Sequence, residues 1–209
     1  MKTSLLTIFL LFQLTTIGQT TSKQFLLAFS DISSGKELYV FRTTNGQIII
    51  KPRYEFIGTD TLYDIAFVIF DNKWVVINKY DSIILAPYVF DNGPDYIEEG
   101  LFRFEENNKI GFANLLGHKV INASFDFAAP FKNGLAAFNV GGHEENSNVE
   151  HWSWRGGLWG FIDKLGNEVI KPMFTNVNDF KNKYAEAWTP DNKHILIDKK
   201  GLIFKVLKK

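Results

Sequence analysis

The chain contains no cysteine. This excludes disulfides, thiol catalysis and thiolate metal sites, and it removes the cysteine that a bacterial lipoprotein needs for its lipid. Stability must come from packing alone. Charge of either sign is not in excess, with 23 basic and 23 acidic side chains in 209 residues. Such a balance gives no electrostatic footprint for nucleic acid or anionic lipid. Helix signals are scarce, and after the first 18 residues no apolar stretch is long enough to span a bilayer.

What is present is apolar and aromatic: 45% hydrophobic residues, 20 Phe and five Trp. This supports a packed core in a single domain and argues against disorder. Runs such as 48–50 (III) and 75–77 (VVI) suit strands, because branched and aromatic side chains fit a pleated, half-buried surface.

The first residues read as an address. Lys2 supplies a positive start, 5–14 is apolar apart from Thr7 and Gln13, and small residues at 16–18 offer a cleavage site before Gln19. Ten helical residues rise only about 15 Å, half of a hydrocarbon core, so a cleaved signal peptide over 1–18 is expected rather than an anchor. Its removal takes Lys2 and no acid, which leaves 22 basic against 23 acidic residues in the domain 19–209. A secreted or periplasmic protein follows, not a lipoprotein, with no membrane insertion of the mature chain.

The dominant feature is an internal repeat. LYVFRTTNGQIIIKPRY (38–54), KWVVINKYDSIILAPYV (73–89), KIGFANLLGHKVINASF (109–125) and LWGFIDKLGNEVIKPMF (158–174) align without a gap, and HILIDKKGLIF (194–204) is a truncated fifth copy. Taking Gly160 as reference, equivalent positions are Val40, Val75, Gly111 and Ile195, so the spacings are 35, 36, 49 and 35. Within a copy, WGFID alternates as a strand, 164–167 (KLGN) is a turn with Gly166 free for positive φ, and EVIKP is the returning strand. A further apolar segment follows each hairpin, at 65–69, 101–104, 135–138 and 184–188. The unit is three short strands, with copies near 38–72, 73–107, 109–140, 157–192 and 193–206.

Trp159-Gly160-Phe161-Ile162-Asp163, followed by Gly166, Val169-Ile170 and Pro172, resembles the WG repeat family. The third copy keeps Gly111-Phe112 and Gly134-Leu135-Ala136, and Lys73-Trp74 keeps the tryptophan. The resemblance implies an all-β scaffold of a kind found in many bacterial proteins, often exported, and no shared reaction.

The segment 24–29 (QFLLAF) resembles the third strand of a unit, whereas the C-terminal copy has only the first two. One strand, four triplets and two strands make five triplets if the ends meet. A propeller-like closed ring is therefore favoured over an open β-solenoid, with 24–29 completing the last unit.

The aromatic position (Trp159, Trp74, Tyr39, His194) is read as repeat packing rather than a ligand-binding ring, since large aromatics dominate core energetics. Asp163, Asn114, Asn78 and Asp198 begin β-turns and are expected to bond their own backbone rather than calcium. Functional residues are sought instead in the one long interval, 141–156 (GGHEENSNVEHWSWRG), because loops beyond the need of the repeat carry specificity. Trp152 and Trp154 share one side of an extended strand, with Arg155 adjacent. With His143 and His151 they form the candidate contact surface for a protein or glycan of the envelope or exterior.

No cofactor or metal is expected, no catalytic set stands out, and the chain is read as a monomeric binding module. Glu98-Glu99 and Glu105-Glu106 are neighbours on strands and point to opposite faces, which makes them poor acid/base partners. The alternatives are a metal-dependent or glycan-active hydrolase using His143, His151 and Glu150, or a purely structural spacer.

Overall fold

A computed structural model of the chain describes residues 24–90, 92–145 and 153–207. The expected signal peptide lies outside the described residues. Those residues form strands and turns with no α-helix among them.

In chain order, β1 (Leu26–Asp31), β2 (Leu38–Arg42) and β3 (Ile48–Tyr54) make a first antiparallel meander, and the link carries β4 (Phe56–Ile57) and β5 (Thr61–Leu62). A second meander is β6 (Ile65–Phe70), β7 (Lys73–Asn78) and β8 (Ile83–Pro87), followed by a small hairpin of β9 (Val89–Phe90) and β10 (Gly93–Pro94). The third is β11 (Leu101–Glu106), β12 (Lys109–Asn114) and β13 (Lys119–Phe125), and β14 (Phe127–Ala128) lies in the next link. The fourth is β15 (Leu135–Glu145), β16 (Ser153–Asp163) and β17 (Glu168–Phe174), with β18 (Asn176–Val177) after it. The last is β19 (Tyr184–Trp188), β20 (His194–Asp198) and β21 (Ile203–Val206).

The third strand of each unit pairs with the hairpin that follows it. Thus β6 joins β7, β11 joins β12, β15 joins β16 and β19 joins β20. Strand β1 completes the first sheet in the same way, and the C-terminal hairpin is completed by β19. Fifteen strands therefore make five meanders, and among the described residues no strand pairing joins the first meander to the last. Strand β1 bonds β2 and β5, and β21 bonds β20, in separate sheets.

Alternation along each strand sends successive side chains to opposite faces, and in the inner sheets both faces are buried. Ala66, Val68 and Ile77 pack back against Phe41, Ile50 and Tyr54 of the first sheet. From the same strands Ile65, Phe67 and Val76 pack forward against Phe102, Phe104 and Ala113. Phe112 and Ile121 then meet Ala136, Phe138 and Ile162, and Phe161 and Ile170 meet Ala185, Ala187 and Ile195. Four cores thus join the five meanders in sequence, and the second and third are also hydrogen-bonded to each other through β8 and β11. Each large side chain fully buried there contributes about 1.5–3 kcal/mol.

The repeated motif is built by two local devices. Each hairpin turn starts from a side chain that caps its own backbone: Asp163 Oδ1 accepts from the N–H of Leu165 and of Asn167, both at 2.9 Å. Asn78, Asn114 and Asp198 do the same two and four residues on. The turn-forming reading of these four residues holds. The second device is a register irregularity between the first and second strands of every copy. At Gly160 it draws the partner backbone so close that a Cβ would lie 2.4 Å from the Ile170 carbonyl oxygen. Glycine is needed where the two strands close this tightly, at Gly111 and Gly160, whereas Val40, Val75 and Ile195 hold the position in the other copies.

Gly160→Ala should therefore destabilise the protein by about 1–3 kcal/mol in chemical denaturation, as an added carbon forces the strands apart. Asp163→Asn should stay within about 0.5 kcal/mol of the parent, because an amide fills the same slot at Asn78 and Asn114.

Candidate functional site: a hairpin arm

The long interval between the third and fourth copies is an extension of one hairpin. Strands β15 and β16 have 11 residues each and stay in register beyond the sheet: Gly142 faces Gly156, His143 faces Arg155, Glu144 faces Trp154 and Glu145 faces Ser153. The base of this arm is fixed by Asn139, which is fully buried. Its Nδ2 donates to the Gly156 carbonyl at 3.2 Å and its Oδ1 accepts from the Gly142 N–H at 3.0 Å. Gly157 sits against that amide at φ 65°, and a Cβ there would come within 2.3 Å of Asn139 Oδ1. Only glycine fits.

The arm has two faces. On the inner face Trp154 stacks on Phe127 with centroids 5.2 Å apart, and Trp159 meets the same ring edge-on at 5.7 Å. The Trp154 indole lies over Gly142, with its Nε1 buried and without a hydrogen-bond partner in the structure. Phe127 also lies 5.6 Å from the Arg103 guanidinium, which covers Tyr88 at 4.3 Å. Arg103 is itself 3% exposed; its Nε donates to Asp95 Oδ2 at 2.5 Å and its Nη1 to the Ala128 carbonyl at 2.7 Å. A buried ion pair under an aromatic layer thus carries the root of the arm. Burial pushes the Tyr88 hydroxyl up to about 12; the Arg103 guanidinium opposes the shift and the nearby Glu144 carboxylate adds to it.

The outer face carries the exposed residues His143, Glu145 and Arg155, and Arg155 Nε donates to Glu145 Oε2 at 2.7 Å. Of the residues expected to form the contact surface, the structure brings His143 and Arg155 together. It places Trp154 on the opposite side, where it anchors the arm. Successive residues of a strand must point to opposite faces, so Trp154 and Arg155 cannot share one surface. His151 and Trp152 lie outside the described residues, as does Glu150.

The aromatic position of the repeat is half-buried in place. Trp74 meets Phe56 edge-on at 5.7 Å and donates from Nε1 to the Asn92 carbonyl at 3.1 Å. His194 stacks on Trp188 at 4.3 Å, with its Nε2 3.0 Å from Glu186 Oε2. The neighbouring carboxylates are spent separately, Glu98 on Lys132 and Glu99 on Lys164. Among the described residues no three His, Asp or Glu side chains converge as a metal site would require.

The Arg103–Asp95 pair and Phe127 escaped the reading of the sequence. Register supplies the missing signal: Arg103 stands opposite Phe112 as Phe67 stands opposite Val76 and Ala137 opposite Phe161, a charge where the meanders on either side carry an apolar residue.

Five bulged meanders stacked through four cores, with one hairpin drawn out as an arm, define an all-β repeat protein. A model of the WG containing repeat matches it three times, over residues 43–74, 110–142 and 159–187. The chain belongs to the WG repeat family. No curated protein matches it.

Two outcomes follow from the root of the arm. Removing one partner of the buried pair, as in Asp95→Ala, should cost about 3–5 kcal/mol in denaturation, whereas replacing both with apolar residues should restore most of the loss. Because the Tyr88 pKa is raised in the folded state, its contribution is complete below about pH 10, the unfolded value. It is lost as pH rises towards about 12. Tyr88→Phe should flatten the fall in melting temperature over that window.

Proposed function

We propose that this protein is an exported interaction module, and that its contact surface is the outer face and tip of the β15–β16 arm. The observation that carries this reading is the arm itself. It is the one interval of 49 residues among spacings of 35 and 36, and its root is fixed by Asn139, Trp154 and the buried Arg103. An anchored arm holds its exposed side chains in place before a partner arrives, which lowers the ordering cost of binding. His143 and Arg155 then offer an imidazole and a guanidinium to a carboxylate-bearing or hydroxyl-rich surface, as on a protein or glycan of the cell envelope or exterior. The apolar leader over residues 1–18 supports export.

The repeat array is read as the frame that presents the arm, and as an open stack rather than a closed ring. Support comes from β21, exposed along its whole length, and from the four cores, each of which joins consecutive sheets.

The test compares the parent with His143→Ala/Arg155→Ala in pull-downs from an envelope fraction and on a glycan array. Both side chains are exposed, so the melting curve should stay within about 0.5 kcal/mol of the parent while capture is lost. Capture that survives the double substitution and shortening of the arm to an Asn-Gly turn would place the contact surface elsewhere.

A further inference from the structure

The two end sheets of the array carry unburied charges in slots that are apolar at most of the inner interfaces. At three of the four interfaces a third-strand side chain of one sheet shares a core with a first-strand side chain of the next: Ala28 with Ile77, Phe67 with Ala113, and Ala137 with Ile197. At the remaining one the slot, opposite Phe112, holds Arg103, whose charge is paired internally by Asp95. The first of these slots is set by pairing opposite Phe41, Val76 and Phe161, and in the last sheet, opposite Leu196, it is filled by Glu186. The second slot is set by pairing with Ile83, Lys119 and Ile203, and in the first sheet, opposite Ile48, it is filled by Arg42. Two positions that meet inside the array therefore carry opposite charges at its two free ends.

The remainder of each end face stays largely apolar. Around Arg42 lie Leu27 and Phe29, the latter 44% exposed under the guanidinium at 5.3 Å, and the Arg42 Nε is buried without a hydrogen-bond partner. Around Glu186 lie Tyr184 and Leu196, both half-buried, and Phe204 packs on Tyr184 at 4.4 Å while remaining 61% exposed. Lys205 takes the slot of the buried Ile170, and its stem can lie along apolar surface with the ammonium at the rim. A face that served only to end the array would be polar throughout.

We infer that these two faces dock on one another between two copies of the chain, head to tail, so that the last sheet of one copy continues into the first sheet of the next. The new interface repeats the geometry of the four internal ones, with Glu186 and Arg42 as its paired charges. Such a contact is heterologous: each copy still offers one free face of each kind, so association proceeds beyond a dimer.

The experiment is sedimentation velocity of the purified chain over a wide range of concentration, with Arg42→Glu, Glu186→Arg and the double reversal. Parent and double reversal should show species that grow with concentration. Each single reversal places like charges in the interface and should weaken association at least about tenfold. Because each single variant keeps one complementary face for the other, an equimolar mixture should regain association, and this guards against loss by misfolding. A parent that stays monomeric throughout, or association that ignores both reversals, overturns the inference. A monomer whose melting temperature falls with each single reversal and recovers with both would mean that the faces meet within one chain, which also overturns it.

Discussion

No sheet of this protein can stand alone, and the rest of the structure depends on that constraint. Each inner meander alternates apolar side chains on both of its faces, so it needs a neighbour on either side to take them out of water, and the first and last each share one such core. The second sheet commits Ala66, Val68 and Ile77 in one direction and Ile65, Phe67 and Val76 in the other. Stability is therefore a property of contacts between repeats, passed from sheet to sheet, as in other quasi-one-dimensional folds. It also explains how a chain without cysteine holds its many short strands together: the apolar area is divided among four cores, each shared by two meanders.

The conspicuous motif serves this stacking. The Trp-Gly glycine lets two strands close at the irregular register, the Asp caps the turn, and the aromatic residue lies half-buried beside the core, as Trp159 does against Phe127. Chemistry concentrated in a repeated motif would appear five times. What occurs once is the arm, and it is supported by Arg103 in a slot that is apolar in the meanders on either side, by its partner Asp95, and by Asn139 at the root. Those buried polar groups are tolerable because their hydrogen bonds are made within the root itself.

Much of this was legible in the sequence. The self-similarity gave the hairpins and turn-capping residues, which rest on local spacing, and the interruption at 141–156, which rests on one interval of 49 residues among 35 and 36. The pairing of each third strand with the following hairpin was not legible, since hydrophobic alternation states that a segment is a strand and not which edge it joins. The five triplets expected from the sequence had 24–29 completing the last unit; in the structure β1 pairs with β2 and β5, and β19 completes the C-terminal hairpin. Trp154 and Arg155 were grouped as neighbours in sequence, and strand alternation parts them. The Arg103–Asp95 pair is invisible to local pattern because its meaning lies in comparison with Phe67 and Ala137 two repeats apart.

The central claim is that stability runs through the nearest-neighbour interfaces between consecutive meanders. Native-state hydrogen exchange, read strand by strand at a concentration where the chain is monomeric, tests it most directly. The slowest amides should lie in β6, β7, β11, β12, β15 and β16, which are covered on both faces, and protection should fall towards β1 and β21. Equal protection in β1, β21 and the middle strands would contradict the account, because it would require the end faces to be buried as the inner ones are.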